Sequence, residues 1–154
     1  MAAPSSARAS EIGESENFGI GLVLGYPHFG VSINFFMSNW VSLQIDPALY
    51  VNHYYHNSHD NFGAACRVDL LFWMPRLASW TYADLRFYFG PGVNLGVGFS
   101  DHDNLGFGVE FPVGIGFQFN KVPIDLNFEA VPVIYVIDDV YFGIGGALNA
   151  RYYF

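Results

Sequence analysis

The sequence predicts an all-β fold, an eight-stranded antiparallel up-and-down transmembrane β-barrel, and three observations predict it. Side chains alternate between apolar and small or polar with a period of two almost without break after Asn17. Hydrophobic residues make up 52% of the 154 and charged residues 13%, about half the charged share of an ordinary soluble domain. Only one lysine, Lys121, is present. No uninterrupted apolar stretch reaches the roughly 18 residues of a membrane helix. The 17 Gly and 8 Pro also disfavour helices in every candidate segment.

The strands follow in order. In the first, Phe18, Ile20, Leu22 and Leu24 oppose Gly19, Gly21 and Gly25, and Tyr26-Pro27-His28 turns the chain. In the second, Phe29, Val31, Ile33, Phe35 and Met37 oppose Gly30, Ser32 and Asn34, with Phe36 as an exception. After Ser38-Asn39, Val41, Leu43, Ile45, Leu49 and Val51 oppose Ser42, Gln44, Asp46, Tyr50 and Asn52. A polar stretch, Asn52 to Asn61, leads to the fourth, where Phe62, Ala64, Cys66, Val68, Leu70 and Phe72 oppose Gly63, Ala65, Arg67 and Asp69. Met74 to Ser79 reads as a connection because of Pro75.

The fifth strand is long and keeps one parity from Ala83 to Phe99 through Pro91, with Asp84, Arg86, Tyr88 and Asn94 on the other face. The sixth runs from Leu105 to Phe119 and sets Phe107, Val109, Ile115 and Phe117 against Gly108, Glu110, Gly114 and Gln118. The seventh sets Ile124, Leu126, Phe128, Ala130, Ile134 and Val136 against Asp125, Asn127, Glu129 and Tyr135. The eighth, Tyr141 to Phe154, carries Phe142, Ile144, Leu148 and Tyr152 opposite Gly143, Gly145, Asn149, Arg151 and Tyr153. An even strand count brings both ends of the barrel to one side, which in an outer-membrane protein is the periplasm.

A soluble ligand-binding barrel also alternates, but with its apolar face inward. Here an eight-stranded interior cannot hold the volume of the Phe-rich face, and the opposite face is too rich in glycine to cover a core from water. Pointing the Phe-rich face into lipid resolves both difficulties. An Arg or Lys on that face at mid-membrane costs roughly 2–4 kcal/mol, which accounts for the lack of charge there. Aromatic residues also gather at strand ends, as interfacial girdles require. Phe18, Trp40, Phe72, Trp73, Trp80, Phe119, Tyr152 and Phe154 fall at one end, and Tyr26, Phe29, Phe62, Phe99, Phe107, Tyr135 and Phe142 at the other.

The chain reads as one domain, 17–154, behind a lead of residues 1–16 expected to be disordered. Met1 to Ser10 has no apolar segment of a secretory signal and reads as an added start or the remnant of a removed one. A net charge of −8 argues against nucleic acid as a partner. The single Cys66 cannot close an internal disulfide and sits on an apolar face as a small hydrophobe.

The closing Ala-Arg-Tyr-Tyr-Phe, residues 150–154, resembles the C-terminal signal read by the barrel assembly machinery, with Tyr152 and Phe154 as its aromatic positions and Asn149 where a Gly is usual. The whole resembles the small eight-stranded outer-membrane barrels of the OmpX and OmpA transmembrane-domain type. It is similar in particular to a poorly characterised small-barrel family that shares an opening G-I-G-L-x-L-G-x-P, here Gly19 to Pro27. That family also shares a P-V-G, here Pro112 to Gly114, an E-x-x-P, here Glu129 to Pro132, and a Gly-rich last strand ending R-Y-Y-F. The resemblance covers Phe18 to Phe154 and implies a compartment, the bacterial outer membrane, with lipid, lipopolysaccharide and the assembly machinery as partners. It implies no catalytic residue.

The inward set contains Asp46, Arg67, Asp69, Asp84, Arg86, Glu110, Asp125, Glu129 and Arg151. Charges inside so small a barrel must pair. Arg67, Arg86 and Arg151 are therefore expected to fork onto carboxylates such as Asp69, Glu110 and Glu129, with Glu129 or Glu110 as the partner of Arg151. The result is a packed polar interior with no open pore; a narrow pore or proton path is the alternative. His53, His56 and His59 in the 52–61 loop have a spacing that Zn²⁺ or Cu²⁺ tolerates, yet a loop does not fix their geometry, and no metal or cofactor is expected. Ser100-Asp101-His102 with His28 raises a lipid A deacylase, but adjacent loop residues do not make a strand-held triad, so no enzyme is expected. The expected protein is a monomeric barrel with a structural or surface-interaction role. His53, Tyr54, Tyr55 and His56 would offer an extracellular protein or glycan its contact surface.

Overall fold

The computed structural model describes residues 12–26, 28–53, 60–99, 105–136 and 140–154, the side chains of 51–53, 60 and 61 excepted. Ten strands form: β1 (Phe18–Tyr26), β2 (His28–Ser38), β3 (Val41–His53), β4 (Asp60–Ser79), β5 (Ala83–Phe89), β6 (Gly92–Gly98), β7 (Leu105–Glu110), β8 (Val113–Phe119), β9 (Ile124–Tyr135) and β10 (Tyr141–Tyr153). All pairings between these strands are antiparallel, and β10 pairs with both β9 and β1, so the sheet closes on itself. The closing seam runs in register from Gly19↔Tyr153 to Tyr26↔Gly146.

The ring has eight strand positions because β5 with β6, and β7 with β8, are halves of single long strands. The expected fifth and sixth strands are thus each interrupted, at Gly90-Pro91 and at Phe111-Pro112. Proline lacks the N–H that a ladder needs, but its carbonyl still accepts. Leu70 N donates to Pro91 O at 3.0 Å, Gly90 N to Pro112 O at 3.1 Å, and Phe111 N to Pro132 O at 3.0 Å. These bonds carry the ladder across both breaks. Even-numbered positions from Asp84 to Gly98 remain the more buried ones on either side.

A second difference concerns 74–79. This segment continues β4 rather than connecting two strands, and it pairs with β5 through two register shifts flanking Arg76. Pro75 explains the irregularity, since a bulge accommodates a residue that cannot donate. Residues 12–16, assigned by sequence to the lead, form a turn with Ile12 only 2% exposed. Gly13, at φ 83°, lets its N–H reach Glu16 O at 2.9 Å, a left-handed conformation that costs glycine nothing sterically.

Burial follows the pleat. Ser32, Asn34, Ser42, Gln44, Asp69, Asp84, Asp125, Asn127 and Asn149 have no solvent exposure, whereas Leu22 and Leu24 are more than half exposed. The ring therefore has a polar inside and an apolar outside. At the end where β1 begins and β10 finishes, Ile12, Phe36, Leu71, Trp73, Tyr88 and Tyr153 form a buried cluster. Phe36, an exception to the apolar-outward parity, belongs here. So does Trp73, at 1% exposure; its odd number in β4 turns it inward, and it is not part of a girdle.

These rings fit because glycine faces them. A Cβ on Gly19 would stand 2.6 Å from the Tyr153 ring, and one on Gly114 or Gly116 would strike Tyr88 or Trp73. Overfilling such a site costs typically 1–3 kcal/mol. Gly19→Ala should lower the urea unfolding midpoint by that order. Gly106→Ala, whose Cβ would find its nearest neighbour at 3.8 Å, should leave the midpoint unchanged or raise it.

Candidate functional site

Above the aromatic cluster, β3, β4, β7 and β9 each turn a carboxylate toward Arg67 of β4. Its Nε donates to Glu110 Oε1 at 2.7 Å and its Nη2 to Asp69 Oδ2 at 3.0 Å. Nη1 and Nη2 reach Glu129 Oε2 at 3.4 and 3.3 Å, and Nη1 reaches Asp46 Oδ2 at 3.5 Å. All five side chains are buried. The neighbours that share these carboxylates are neutral. Gln44 Nε2 donates to Asp46 Oδ2 and Glu129 Oε1, the Tyr88 hydroxyl to Glu129 Oε1 at 2.9 Å, and Asn94 Nδ2 to Glu110 Oε2.

A second pair lies closer to the aromatic end. Arg151 forks onto Asp125, Nε to Oδ1 at 3.1 Å and Nη2 to Oδ2 at 3.0 Å, and Nη1 donates to Gln44 Oε1 at 2.7 Å. Tyr153 completes Asp125 through a 2.8 Å bond. Gln44 thus joins the two clusters. The expected partner for Arg151, Glu129 or Glu110, is replaced by Asp125 because Asp125 stands directly across the ladder while Glu129 faces Ala147. The expected fork of Arg86 onto a carboxylate is also corrected. Its Nε donates to Met74 O and its Nη2 to Asn39 O, and the guanidinium lies 5.3 Å from the Trp73 ring centroid and 5.8 Å from that of Trp40. It sits at the bulged end of β4, away from the Arg67 level. Asp84 pairs instead with Arg76 at 2.9 Å and with the Ser79 hydroxyl.

The ring is filled at one end and hollow at the other. Beyond Arg67, small inward residues leave a cavity of about 250 Å³. Its floor is Asp46, Arg67, Asn94 and Glu110. Val23, Ala48, Val131 and Val133 wall it, with Gly143, Gly145 and Ala147 from the last strand. Tyr26, His28, Tyr135 and Tyr141 stand at its mouth. Sequence parity put Arg67, Asp69, Glu110, Glu129, Asp125 and Arg151 on one face; it did not reveal that Gln44, Asn94 and Tyr88 share their hydrogen bonds, nor that a hollow adjoins them. The run of small inward residues on β10 was the only available signal for the hollow.

Among the described residues, no three His, Cys, Asp or Glu side chains are grouped to hold a metal ion. Tyr54, Tyr55, His56 and His59, the side chain of His53, and Ser100, Asp101 and His102 lie outside the described residues. Tyr152 and Phe154 face outward, 47% and 68% exposed, with ring centroids 5.0 Å apart, and Phe154 N donates to Phe18 O across the seam.

Removing one member of a buried charge cluster costs about 3–5 kcal/mol because its partners are left uncompensated. Arg67→Met should therefore destabilise by that order. In double-mutant cycles, Arg151→Met with Asp125→Asn should show a coupling of roughly 0.5–3 kcal/mol, while Arg151→Met with Glu110→Gln should be close to additive. Urea titration of the four proteins in each cycle reads both. Comparison of the chain with protein-family models, curated proteins and solved structures returns no match.

Proposed function

We propose that this protein is an integral outer-membrane β-barrel, with both termini periplasmic, that serves as a structural or surface-interaction element and conducts no ions through its interior. The observation that carries this reading is the outer face of the ring. Ile20, Leu22, Leu24, Val31, Leu95, Val109, Phe128 and Ile134 are each 38% or more exposed. Water-soluble monomers rarely expose a contiguous apolar patch beyond a few hundred Å², and a closed antiparallel ring is one of the two architectures that leave no backbone group unpaired in lipid. Exposed aromatic residues at the ring's ends, Trp40, Trp80, Tyr82 and Tyr152 at one and Tyr26, Phe99 and Phe142 at the other, suit the two interfaces of a bilayer.

The absence of conductance follows from the filling. The Arg67 and Arg151 clusters and the aromatic layer below them occupy the cross-section, as eight strands allow. The partners of this reading are outer-membrane lipid and lipopolysaccharide, and the assembly machinery acting on Tyr152 and Phe154. Residues 52–61, whose two ends pair with each other in β3 and β4, are the segment we assign to extracellular contacts.

The protein should refold in detergent micelles and migrate faster on a gel unheated than boiled. Phe128→Arg should cost roughly 2–4 kcal/mol in lipid vesicles. A water-facing Phe128 would instead tolerate Arg with no loss, and that result would sink the membrane reading. Stable unit currents across planar bilayers would overturn the closed interior alone.

A further inference from the structure

We propose that the distal cavity is a binding site for a small organic cation: an apolar body ending in a protonated amine, with the amine seated against Asp46. The proposal needs only the ring's interior and stands apart from the membrane reading. Carboxyl groups outnumber guanidiniums beneath the cavity, since Arg67 alone faces Asp46, Asp69, Glu110 and Glu129. Arg67 divides its N–H groups among four carboxylates, and two of those contacts are long, at 3.4–3.5 Å. It therefore completes none of them.

Asp46 and Asp69 each keep a buried oxygen without a hydrogen bond among the described residues, and of the two Asp46 lines the cavity. Asp46 is 1% exposed and spends Oδ2 on Gln44 and Arg67. Its Oδ1 is buried and forms no hydrogen bond among the described residues, and the Ser32 hydroxyl, itself unbonded, stands beside the carboxylate. A buried acceptor without a donor is costly, and an ammonium group coming down the cavity supplies a charge-assisted donor. An anion would meet repulsion from the same floor. The hydrocarbon walls of Val23, Ala48, Val131 and Val133 require an apolar body. A volume of about 250 Å³ lies below the roughly 300–1,000 Å³ of drug-sized sites, so the ligand is small, on the scale of a single ring with a short chain.

The mouth has the same preference. Tyr26, Tyr135 and Tyr141 line it, the last two stacked with centroids 4.6 Å apart, and aromatic rings attract cations. Access is also possible from the side. Pairing of β1 with β10 stops at Tyr26↔Gly146, while β10 runs on for five more residues toward the mouth. The edge of residues 141–145 therefore has no β1 partner, and Ile144 on that edge both lines the cavity and is 68% exposed. An apolar body can enter there without crossing the charged floor.

The test uses refolded protein whose fold is verified by circular dichroism and heat-modifiable migration, and three probes of one shape: 2-phenylethylammonium, 2-phenylethanol and phenylacetate. Calorimetric titration should show saturable binding of the amine, about tenfold or more tighter than the alcohol, and no binding of the acid. Asp46→Asn should abolish the preference for amine over alcohol. Gly145→Leu projects a side chain into the cavity without touching the charge cluster, and it should abolish binding of amine and alcohol alike. Equal binding of amine and alcohol, an amine preference that survives Asp46→Asn, amine binding unchanged in Gly145→Leu, or no saturable amine binding to the unsubstituted protein would each overturn the proposal.

Discussion

One guanidinium gathers the inside of this ring. Arg67 is bonded to side chains from β3, β7 and β9 as well as to its own neighbour Asp69, so a single planar fork ties together four of the eight strand positions. Its geometry depends on being buried. In water such contacts are worth little each; sealed from it, their loss leaves a charge with no compensation. Gln44 extends the arrangement to Arg151 and Asp125 and so to β10, the strand that closes the ring on β1. The seam is therefore held from inside by side chains as well as along its edge by the ladder.

The same constraint of limited interior space explains the partition into a filled and a hollow half. Eight strands leave room for side chains and little else. Where Trp73, Tyr88 and Tyr153 enter, the facing positions are Gly116, Gly114 and Gly19, and a single added carbon would collide with a ring. In the distal half, Gly143 and Gly145 stand across the ladder from Val133 and Val131, no large residue fills the interior at that level, and space remains. Glycine has opposite consequences in the two halves. Under the terminal end it admits an aromatic ring, and near the mouth it leaves a cavity.

This division bears on what the molecule can do. A cluster with more carboxylates than arginines, sealed on one side by aromatic rings and open on the other to an apolar hollow, is asymmetric along the ring axis. One end carries the buried aromatic cluster, and the other a cavity lined by charged side chains. Under the proposed membrane placement the cavity end faces outward, so the protein would present a selective recess at the cell surface and a closed base to the periplasm.

The sequence by itself determined which residues face in and which face out. Alternation is local, because successive side chains on a strand must point to opposite faces, and the parity survives Pro91 and Pro112, though it slips at the bulges of β4. That was enough to place Arg67, Glu110, Glu129 and Arg151 on one face and Leu22, Phe87 and Phe128 on the other. Tertiary structure alone decided who meets whom. Arg151 finds Asp125 rather than Glu129 because of the β9–β10 register. Arg86 finds backbone carbonyls because the shifted end of β4 sets Met74 O, and the β2–β3 turn sets Asn39 O, beside it. Trp73 finds room beside Gly116, a glycine from a strand far away in the chain. These depend on register and on the level of each residue along the ring, quantities set by closure of the whole sheet, and no window of a single strand contains them.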